Sequence, residues 1–348
     1  MNRKLMIALL SILPLNGWTQ TQVTEFNPGI AANGVNYVLP KTVLKINVQA
    51  KKVVYTPGEY AKYAKRFLHI EATTESYTQW STDNLTVYQE GVPDTSKVFT
   101  VKLKDKSIAP MVQLTESGIL VAVNTTTALD EYAAPPTHTT HHRLQAQQYL
   151  TEDILSATSV AKMAELTAQE ILDIRESKNA IKRGQVESMP KDGASLKIVL
   201  DELDRQERAL TQLFTGYADT TFTTQTFSIL PTGDIRQQVL FRFSQKLGFV
   251  DADDLAGEPY YIAVKDMHTV VLPDEKENTK RKINGLVYNM PSMANVIIST
   301  LQGNLYEREL PFAQFGTIDM LSPTLFNKEA TTKLTLNPAT GGIMHLEQ

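Results

Sequence analysis

Three histidines lie close together in one polar segment, His138, His141 and His142. Neutral imidazoles at this density can hold zinc or copper. The segment has no cysteine and only Glu131 as a nearby acid, and a flexible loop loses conformational entropy when it closes around a metal. The three residues are candidates for metal ligands, and a solvated loop is the alternative interpretation.

One group of acids, Asp251, Asp253, Asp254 and Glu258, has the oxygen ligands that calcium prefers. The order of residues does not follow the EF-hand pattern. A polar turn is therefore the expected structure for this segment.

A second group of acids crowds one helical segment: Asp201, Glu202, Asp204 and Glu207. A pair of carboxylates that faced a cleft could hydrolyse a glycoside. Arg205 and Arg208 are interleaved among the acids, and Asp204 is spaced for an ion pair with Arg208 one turn later. The pattern predicts a solvated, ion-paired helix face.

Nucleophilic catalysis has no recognisable motif in this chain. Ser195 and the other serines lack the G-x-S-x-G elbow, and His69, His268 and His345 are far apart in sequence, which neither supports nor excludes a triad. The sequence has no H-E-x-x-H, P-loop or dinucleotide fingerprint. Catalytic residues are therefore unassigned, and no cofactor is predicted.

Three aromatic residues, Tyr77, Trp80 and Tyr88, lie within a short span. Exposed, they could stack on sugar rings; buried, they would fill a core. Separately, Asp219-Thr220-Thr221 resembles the short Asp-Thr-small site at which Bacteroidetes attach O-glycans.

The N-terminus has the pattern of a secretion signal. Arg3 and Lys4 precede an apolar run from Met6 to Leu15, which is too short to anchor the chain in a bilayer. Cleavage after Thr19 is predicted, so the chain is expected to be exported to the periplasm or the outer membrane. The chain has no cysteine, which excludes disulfides and lipid attachment at a lipoprotein cysteine.

The net negative charge of the chain argues against nucleic acid and anionic lipid as partners. The chain has 34 basic and 38 acidic residues, and loss of Arg3 and Lys4 with the signal changes the net charge from -4 to -6. Such a surface does not favour nucleic acid or anionic lipid. No further segment has the length of apolar residues that a membrane helix needs.

The elements that must position these residues follow from periodicity. Leu44, Ile46 and Val48 alternate with polar residues and predict a strand, after which a helix from Thr56 is expected to lie on the sheet. Further strand patterns follow, at Leu85 to Tyr88, Val98 to Leu103, Met111 to Leu114 and Ile119 to Val123. A turn is predicted at Gly91-Val92-Pro93-Asp94.

Two long helices are the clearest prediction. Apolar residues recur at helical spacing up to Gly184 and again up to Gly216, and both glycines suit a left-handed helix end. Asp192 is the predicted N-cap of the second helix, and the short join through Met189-Pro190 predicts an antiparallel hairpin.

The predicted fold class is α+β, with an N-terminal β-β-α-plus-meander lobe, a helical hairpin and a C-terminal β-sandwich-like lobe. After the signal at 1–19, the predicted units are 35–124 (N-terminal domain), 125–158 (linker), 159–216 (hairpin) and 217–348 (C-terminal domain). A hairpin turn is predicted at Leu301-Gln302-Gly303-Asn304.

Several short motifs carry a resemblance to a known family. They are Tyr37-Val38-Leu39-Pro40-Lys41-Thr42, Pro57-Gly58 with Tyr60-Ala61 and Tyr63-Ala64, Leu213-Phe214-Thr215-Gly216, Tyr288-Asn289-Met290-Pro291 with Ala294 and Val296, Pro311-Phe312-Ala313-Gln314-Phe315-Gly316, and Leu325-Phe326. The chain resembles an uncharacterised family of exported Bacteroidetes proteins, domain of unknown function family 4831. The resemblance implies an envelope location and brings no catalytic residues.

The leading hypothesis is a non-catalytic envelope protein that binds or scaffolds, with another envelope protein or a glycan as its partner. The rival hypothesis is a periplasmic hydrolase whose carboxylates or histidines assemble from distant positions. An enzyme requires ionisable groups that converge in a cleft with perturbed pKa values, whereas a binding protein can instead expose an aromatic patch.

Overall fold

The computed structural model describes residues 22–25, 34–102, 112–129, 137–186, 192–272, 283, 285–326 and 332–347. The predicted signal at 1–19, the acid Glu131 and the predicted join at Met189-Pro190 lie outside the described residues. No helix in the described ranges is both long and apolar enough to cross a bilayer.

The structure is α+β, as predicted. Its strands are β1 (Gln22–Glu25), β2 (Gly34–Thr56), β3 (Tyr77–Lys102), β4 (Val112–Leu114), β5 (Leu120–Val123), β6 (His138–Thr140), β7 (Tyr217–Ile229), β8 (Ile235–Ser244), β9 (Gly248–Val250), β10 (Glu258–Asp266), β11 (Leu286–Thr300), β12 (Gly303–Leu321), β13 (Lys333–Leu336) and β14 (Ile343–Glu347). Its α-helices are α1 (Ala64–Leu68), α2 (Glu152–Leu155), α3 (Val160–Lys182) and α4 (Gly193–Thr215). Short 3-10 helices lie at Ala61–Tyr63, Ala146–Tyr149 and Pro323–Phe326.

The strands form three sheets. The first has the order β1-β3-β2-β7-β6, the second β12-β11-β10-β8-β9, and the third β14-β13-β5-β4. The pairs within each sheet are antiparallel, and the long β2 pairs with β3 on one side and with β7 on the other. The first sheet therefore combines strands that are more than 150 residues apart in sequence.

The α3–α4 hairpin confirms the clearest prediction from the sequence. The Asp192 side chain accepts a hydrogen bond from the Ser195 amide and caps α4, as predicted. Gly184 and Gly216 have φ angles of 70° and 71°, positive values that a glycine adopts without a Cβ clash. These signals lie within a few residues of each helix end, which is why the sequence alone revealed them.

The helix predicted from Thr56 is wrong in its start and its position. Thr56 ends β2, and a 3-10 turn leads into the short α1. Tyr60, Ala64 and Leu68 pack against α3 and α4, not on a sheet. The cause is a backbone contact, since the Tyr60 amide donates to the Leu213 carbonyl in the last turn of α4 at 2.7 Å.

The turn predicted at Gly91-Val92-Pro93-Asp94 is a bulge within β3. Val38 pairs with Val98 and Pro40 with Pro93, so four residues of β3 lie opposite one residue of β2. The Asp94 carboxylate accepts hydrogen bonds from the amide and hydroxyl of Ser96, which holds the extra residues in place.

The largest core lies between the first and second sheets, which pack as a β-sandwich. The core-facing side of β2 carries Leu44, Ile46 and Val48, which pack against residues of β8, β10, β11 and β12. A second core joins the start of β2 to the third sheet, and a third lies within the helical part. The predicted domain limits stay predictions, and the sheets and cores extend across residues 124 and 217.

Candidate functional site

The three candidate histidines are held in different places. The His138 ring stacks on Phe222, with ring centroids 4.8 Å apart. His141 Nδ1 is 3.5 Å from Asp219 Oδ1, and that same carboxylate oxygen accepts a hydrogen bond from the His142 amide. No three metal-ligating side chains gather anywhere in the part of the chain that the structure describes.

A cleft of about 840 Å³ opens between the helical hairpin and the histidine segment. Two of the predicted carboxylates, Asp204 and Glu207, line it and share Lys178 as an ion-pair partner. Glu207 also accepts a hydrogen bond from Arg175 at 2.6 Å. The predicted pair of Asp204 with Arg208 does not form through side chains, because Arg208 Nε donates to the backbone carbonyl of Asp204.

Asp204 and Glu207 act as counterions to the neighbouring cations Lys178 and Arg175. Burial alone would raise the pKa of Glu207, but hydrogen bonds from Lys178 and Arg175 outweigh it and lower the pKa. The hydrogen bond from Lys178 is the main cause of the lowered pKa of Asp204. A glycosidase needs one carboxyl group with a raised pKa as its acid, and neither residue meets that requirement.

The other two acids of that helix, Asp201 and Glu202, do not line the cleft. Glu202 accepts hydrogen bonds from the Tyr149 hydroxyl at 3.0 Å and from Arg205 at 2.7 Å. Asp201 is exposed on the same helix. The second acidic group behaves as a turn: Asp254 accepts from the Ala256 amide, and Glu258 accepts from Gln302.

The serine and histidine candidates do not assemble into a triad. Ser195 lies in the first turn of α4, His69 ends α1, and His345 lies in β14. One relevant contact was not found from the sequence: Asp266 accepts a hydrogen bond from the buried Ser292 hydroxyl at 2.9 Å and lies 3.0 Å from His268 Nδ1. The carboxylate lies between serine and imidazole, whereas a triad requires the imidazole between serine and carboxylate.

The aromatic residues divide between two faces of the first sheet, because cross-strand partners share a face. Tyr77 pairs with Tyr55 and Tyr88 pairs with Lys45, on the side of β2 that faces away from the main core. Trp80 pairs with Lys52 on the opposite side and packs at the rim of that core. The three residues therefore do not form a single stacking platform.

The side of the first sheet that carries Tyr77 and Tyr88 is here called the outer face. It consists of alternate residues of β2 from Lys45 to Tyr55 with their partners on β3 and β7. The partners are Tyr77, Gln79, Ser81, Asn84, Thr86 and Tyr88 on β3, and Ala218, Thr220, Phe222, Thr224, Thr226 and Ser228 on β7. Lys45 and Lys51 are the only charged residues of this set, and most of the others are neutral hydrogen-bonding side chains.

Two stacked aromatic pairs lie along the outer face. Tyr77 is 46% exposed and stacks on Tyr55 with ring centroids 5.0 Å apart. Phe222, opposite Lys51, carries the stacked ring of His138. Tyr55 lies four residue steps from Lys51 on β2, so these two aromatic positions are about 13 Å apart along the strand. Thr220 and Thr221, of the predicted glycosylation triplet, lie within β7 between two paired strands.

A smaller groove, of about 430 Å³, lies at the edge of the sandwich on the other side of the first sheet. Trp80 and Tyr260 form part of its wall, and Lys246 and Glu258 line it as well. The Tyr260 hydroxyl is 3.1 Å from the Thr82 hydroxyl, and the backbone of Gly248 lies against the Trp80 ring. The aromatic walls of this groove are therefore fixed in position.

Comparison with known proteins identifies one family. The family model described as "Domain of unknown function (DUF4831)" matches residues 33–344. No curated protein and no solved structure matches the chain.

Proposed function

We propose that this chain, which belongs to the family described as domain of unknown function (DUF4831), is an exported, non-catalytic binding protein of the cell envelope that holds an oligosaccharide on its outer face. The observation that carries the proposal is the composition of that face. Neutral hydroxyl and amide side chains lie between the exposed Tyr77 and the half-buried Phe222. No acid occupies the alternate positions from Lys45 to Tyr55 or their partners on that face, and Lys45 is ion-paired with Glu90 just beyond its end.

This chemistry matches a sugar chain. Sugar hydroxyls both donate and accept hydrogen bonds, and Ser, Thr, Asn and Gln side chains offer both kinds of partner. The faces of pyranose rings are apolar and pack on aromatic side chains such as Tyr77 and the stacked pair of His138 and Phe222. The outer face extends for about 33 Å from Tyr55 to Lys45, which favours a chain of several sugars over a single one.

The hairpin cleft supports the non-catalytic part of the proposal. Its two carboxylates, Asp204 and Glu207, both have lowered pKa values and are paired with cations. A hydrolase of the rival type would need one of them protonated near neutral pH. Export and envelope location rest on the signal pattern of residues 1–19.

Oligosaccharide binding by the purified protein tests the proposal. A printed panel of neutral and acidic oligosaccharides identifies a binder, and titration calorimetry then measures its affinity. We expect Phe222→Ala and Tyr77→Ala each to weaken binding at least tenfold, because each removes an apolar surface on which a sugar ring packs. The matched control is Tyr261→Ala, a half-buried tyrosine of the second sheet, which should leave the affinity unchanged.

Two outcomes contradict the proposal. If no oligosaccharide on the panel binds, or if both outer-face variants bind as tightly as the wild type, the outer face is not a glycan site. New reducing ends released from a bound oligosaccharide would support the hydrolase, provided that Glu207→Gln abolishes their release.

A further inference from the structure

Four leucines are exposed around one end of the second sheet. The exposed fractions are 59% for Leu247, 84% for Leu255, 73% for Leu301 and 53% for Leu305. Leu247 lies in the turn between β8 and β9, Leu255 in the connection from β9 to β10, and Leu301 in the turn between β11 and β12. Polar residues are usual at such positions, so repeated leucines require an explanation.

The register of the sheet places these connections at the same end. Glu258, the first residue of β10, pairs with Phe243 near the end of β8. Tyr261 pairs with Ser299 near the end of β11, and Gln302 in the following turn donates to Glu258. The sheet order is β12-β11-β10-β8-β9, so the leucines are spread over five strands, a width of about 19 Å.

The groove that contains Trp80 opens among these leucines. Lys246 and Ala256, which line the groove, are the sequence neighbours of Leu247 and Leu255. The same groove is lined by Glu258, so one cation and one anion flank a volume of about 430 Å³. No ion pair of Lys246 occurs within the part of the chain that the structure describes.

We propose that this end of the second sheet docks on a lipid surface with zwitterionic headgroups. The four leucines insert between the acyl chains at the interface. The groove receives one headgroup, with Lys246 beside its phosphate and with Glu258 and the aromatic wall beside its ammonium. The groove shares Gln79 and Ser81 with the outer face, but the leucines lie outside that face, and the proposal does not depend on oligosaccharide binding.

The size and shape of the patch favour lipid over a protein partner. Fully buried leucine side chains remove roughly 60–120 Å² of apolar surface each, so four of them remove on the order of 400 Å². A stable protein interface buries about 800 Å² on each partner. The leucines also project separately from different connections, and a fluid bilayer accepts such projections without a matching pocket.

Charge decides which lipid fits. Asp251, Asp253 and Asp254 lie in the connection that carries Leu255, and Lys246 is the one cation among the groove-lining residues. These carboxylates would repel an anionic bilayer. A zwitterionic surface has no net charge and supplies partners for both Lys246 and Glu258.

Co-sedimentation of the full chain with phosphatidylcholine vesicles tests the proposal. We expect the wild type to bind, and the double variant Leu247→Ser with Leu301→Ser to lose at least tenfold in partition coefficient, since burial of one leucine is worth about a factor of ten or more. The matched control is Ile198→Ser, because Ile198 is 69% exposed on α4, away from this end. The control should bind as the wild type does.

The groove is tested separately in the same assay. Excess glycerophosphocholine should compete with the vesicles, and Lys246→Glu should weaken binding severalfold. Vesicles that contain phosphatidylglycerol should bind more weakly than pure phosphatidylcholine. Stronger binding to the anionic vesicles overturns the headgroup assignment.

Three results overturn the docking surface itself. The wild type does not sediment with phosphatidylcholine vesicles, the double leucine variant sediments as the wild type does, or Ile198→Ser loses as much binding as the double variant. If the leucine substitutions instead abolish a concentration-dependent dimer in size-exclusion chromatography, the occupant is a second copy of the chain and the proposal is wrong.

Discussion

The hydroxyl group of Tyr37 forms two hydrogen bonds with the backbone of Val287, 250 residues further along the chain. It donates to the Val287 carbonyl at 3.2 Å and accepts from the Val287 amide at 3.0 Å. Both residues are fully buried. A side chain of β2 thus takes the place of a neighbouring strand for one residue of β11 and connects the first sheet to the second.

We expect Tyr37→Phe to lower the free energy of unfolding by about 3 kcal/mol. The substitution keeps the ring but leaves the buried amide and carbonyl of Val287 without partners, and each such group costs about 1–3 kcal/mol. Urea unfolding at neutral pH measures the change as a shift of the midpoint. Tyr261→Phe is the control on an outward-facing tyrosine, and an equal shift in both variants would contradict the assigned role of Tyr37.

The same pair predicts a response to alkaline pH. Burial raises the pKa of Tyr37 above its usual value, and the hydrogen bond from Val287 offsets only part of that effect. The unfolded chain then releases the proton near pH 10 while the folded protein keeps it, so stability falls as the pH rises above about 10. Between about pH 9 and pH 11, the stability difference between the wild type and Tyr37→Phe should therefore narrow.

A comparison of alanine substitutions at Gly184 and Gly216 distinguishes the cost of backbone strain from the cost of a steric clash. Both have φ near 70°, but a Cβ on Gly216 would lie 2.3 Å from the Thr56 carbonyl oxygen, whereas a Cβ on Gly184 would meet nothing within 4 Å. We expect Gly184→Ala to cost about 1 kcal/mol and Gly216→Ala more than about 3 kcal/mol. Thermal and urea unfolding measure both, and equal costs would show that the approach of Thr56 to Gly216 is not close.

The ion pairs of the hairpin predict its sensitivity to acid. Glu207 is 17% exposed and binds Lys178 and Arg175, and its pKa is lowered. The stabilisation that the Glu207 carboxylate gives the folded protein is present above the pKa that Glu207 has in the unfolded chain, near 4.3. It is lost as the pH falls through the lower pKa of Glu207 in the folded protein. We expect Glu207→Gln to cost about 1.5 kcal/mol at neutral pH and to lose this effect in acid.

Urea unfolding, followed by far-ultraviolet circular dichroism at a series of pH values, measures the difference in unfolding free energy between the wild type and Glu207→Gln. Glu165→Gln is the matched control, because Glu165 pairs with Lys162 on the same hairpin but is 52% exposed. Its cost should not exceed about 0.5 kcal/mol. A Glu207→Gln difference that persists below about pH 3 would assign the effect to packing instead of charge.

The sequence predicted best those features that depend on residues close together in the chain. The caps of α3 and α4, the hairpin turn after Leu301 and the alternation of Leu44, Ile46 and Val48 were confirmed. Each depends on interactions within about one helical turn or one strand. The sequence also indicated that the acids of α4 pair with cations, although it assigned Arg208 to Asp204 where the tertiary structure places Lys178.

Pairing between strands that are distant in sequence decided which side chains come together in each candidate site. One extra residue of β3, Asp83, lies opposite the step from Gln49 to Ala50 of β2. This shift puts Tyr88 on the same face as Tyr77, opposite to the face of Trp80. The outer face further requires β7 and Phe222, and the contact of Asp266 with Ser292 requires β10 beside β11. No local pattern encodes such neighbours.

The sequence by itself therefore determined the two long helices, the ends of the hairpin and the alternating core strand of β2, because those features depend on backbone preferences and caps within a few residues. Only the tertiary structure decided which side chains share a surface. The register between strands far apart in the chain fixes that arrangement, and a shift of one residue moves a side chain to the opposite face of the sheet.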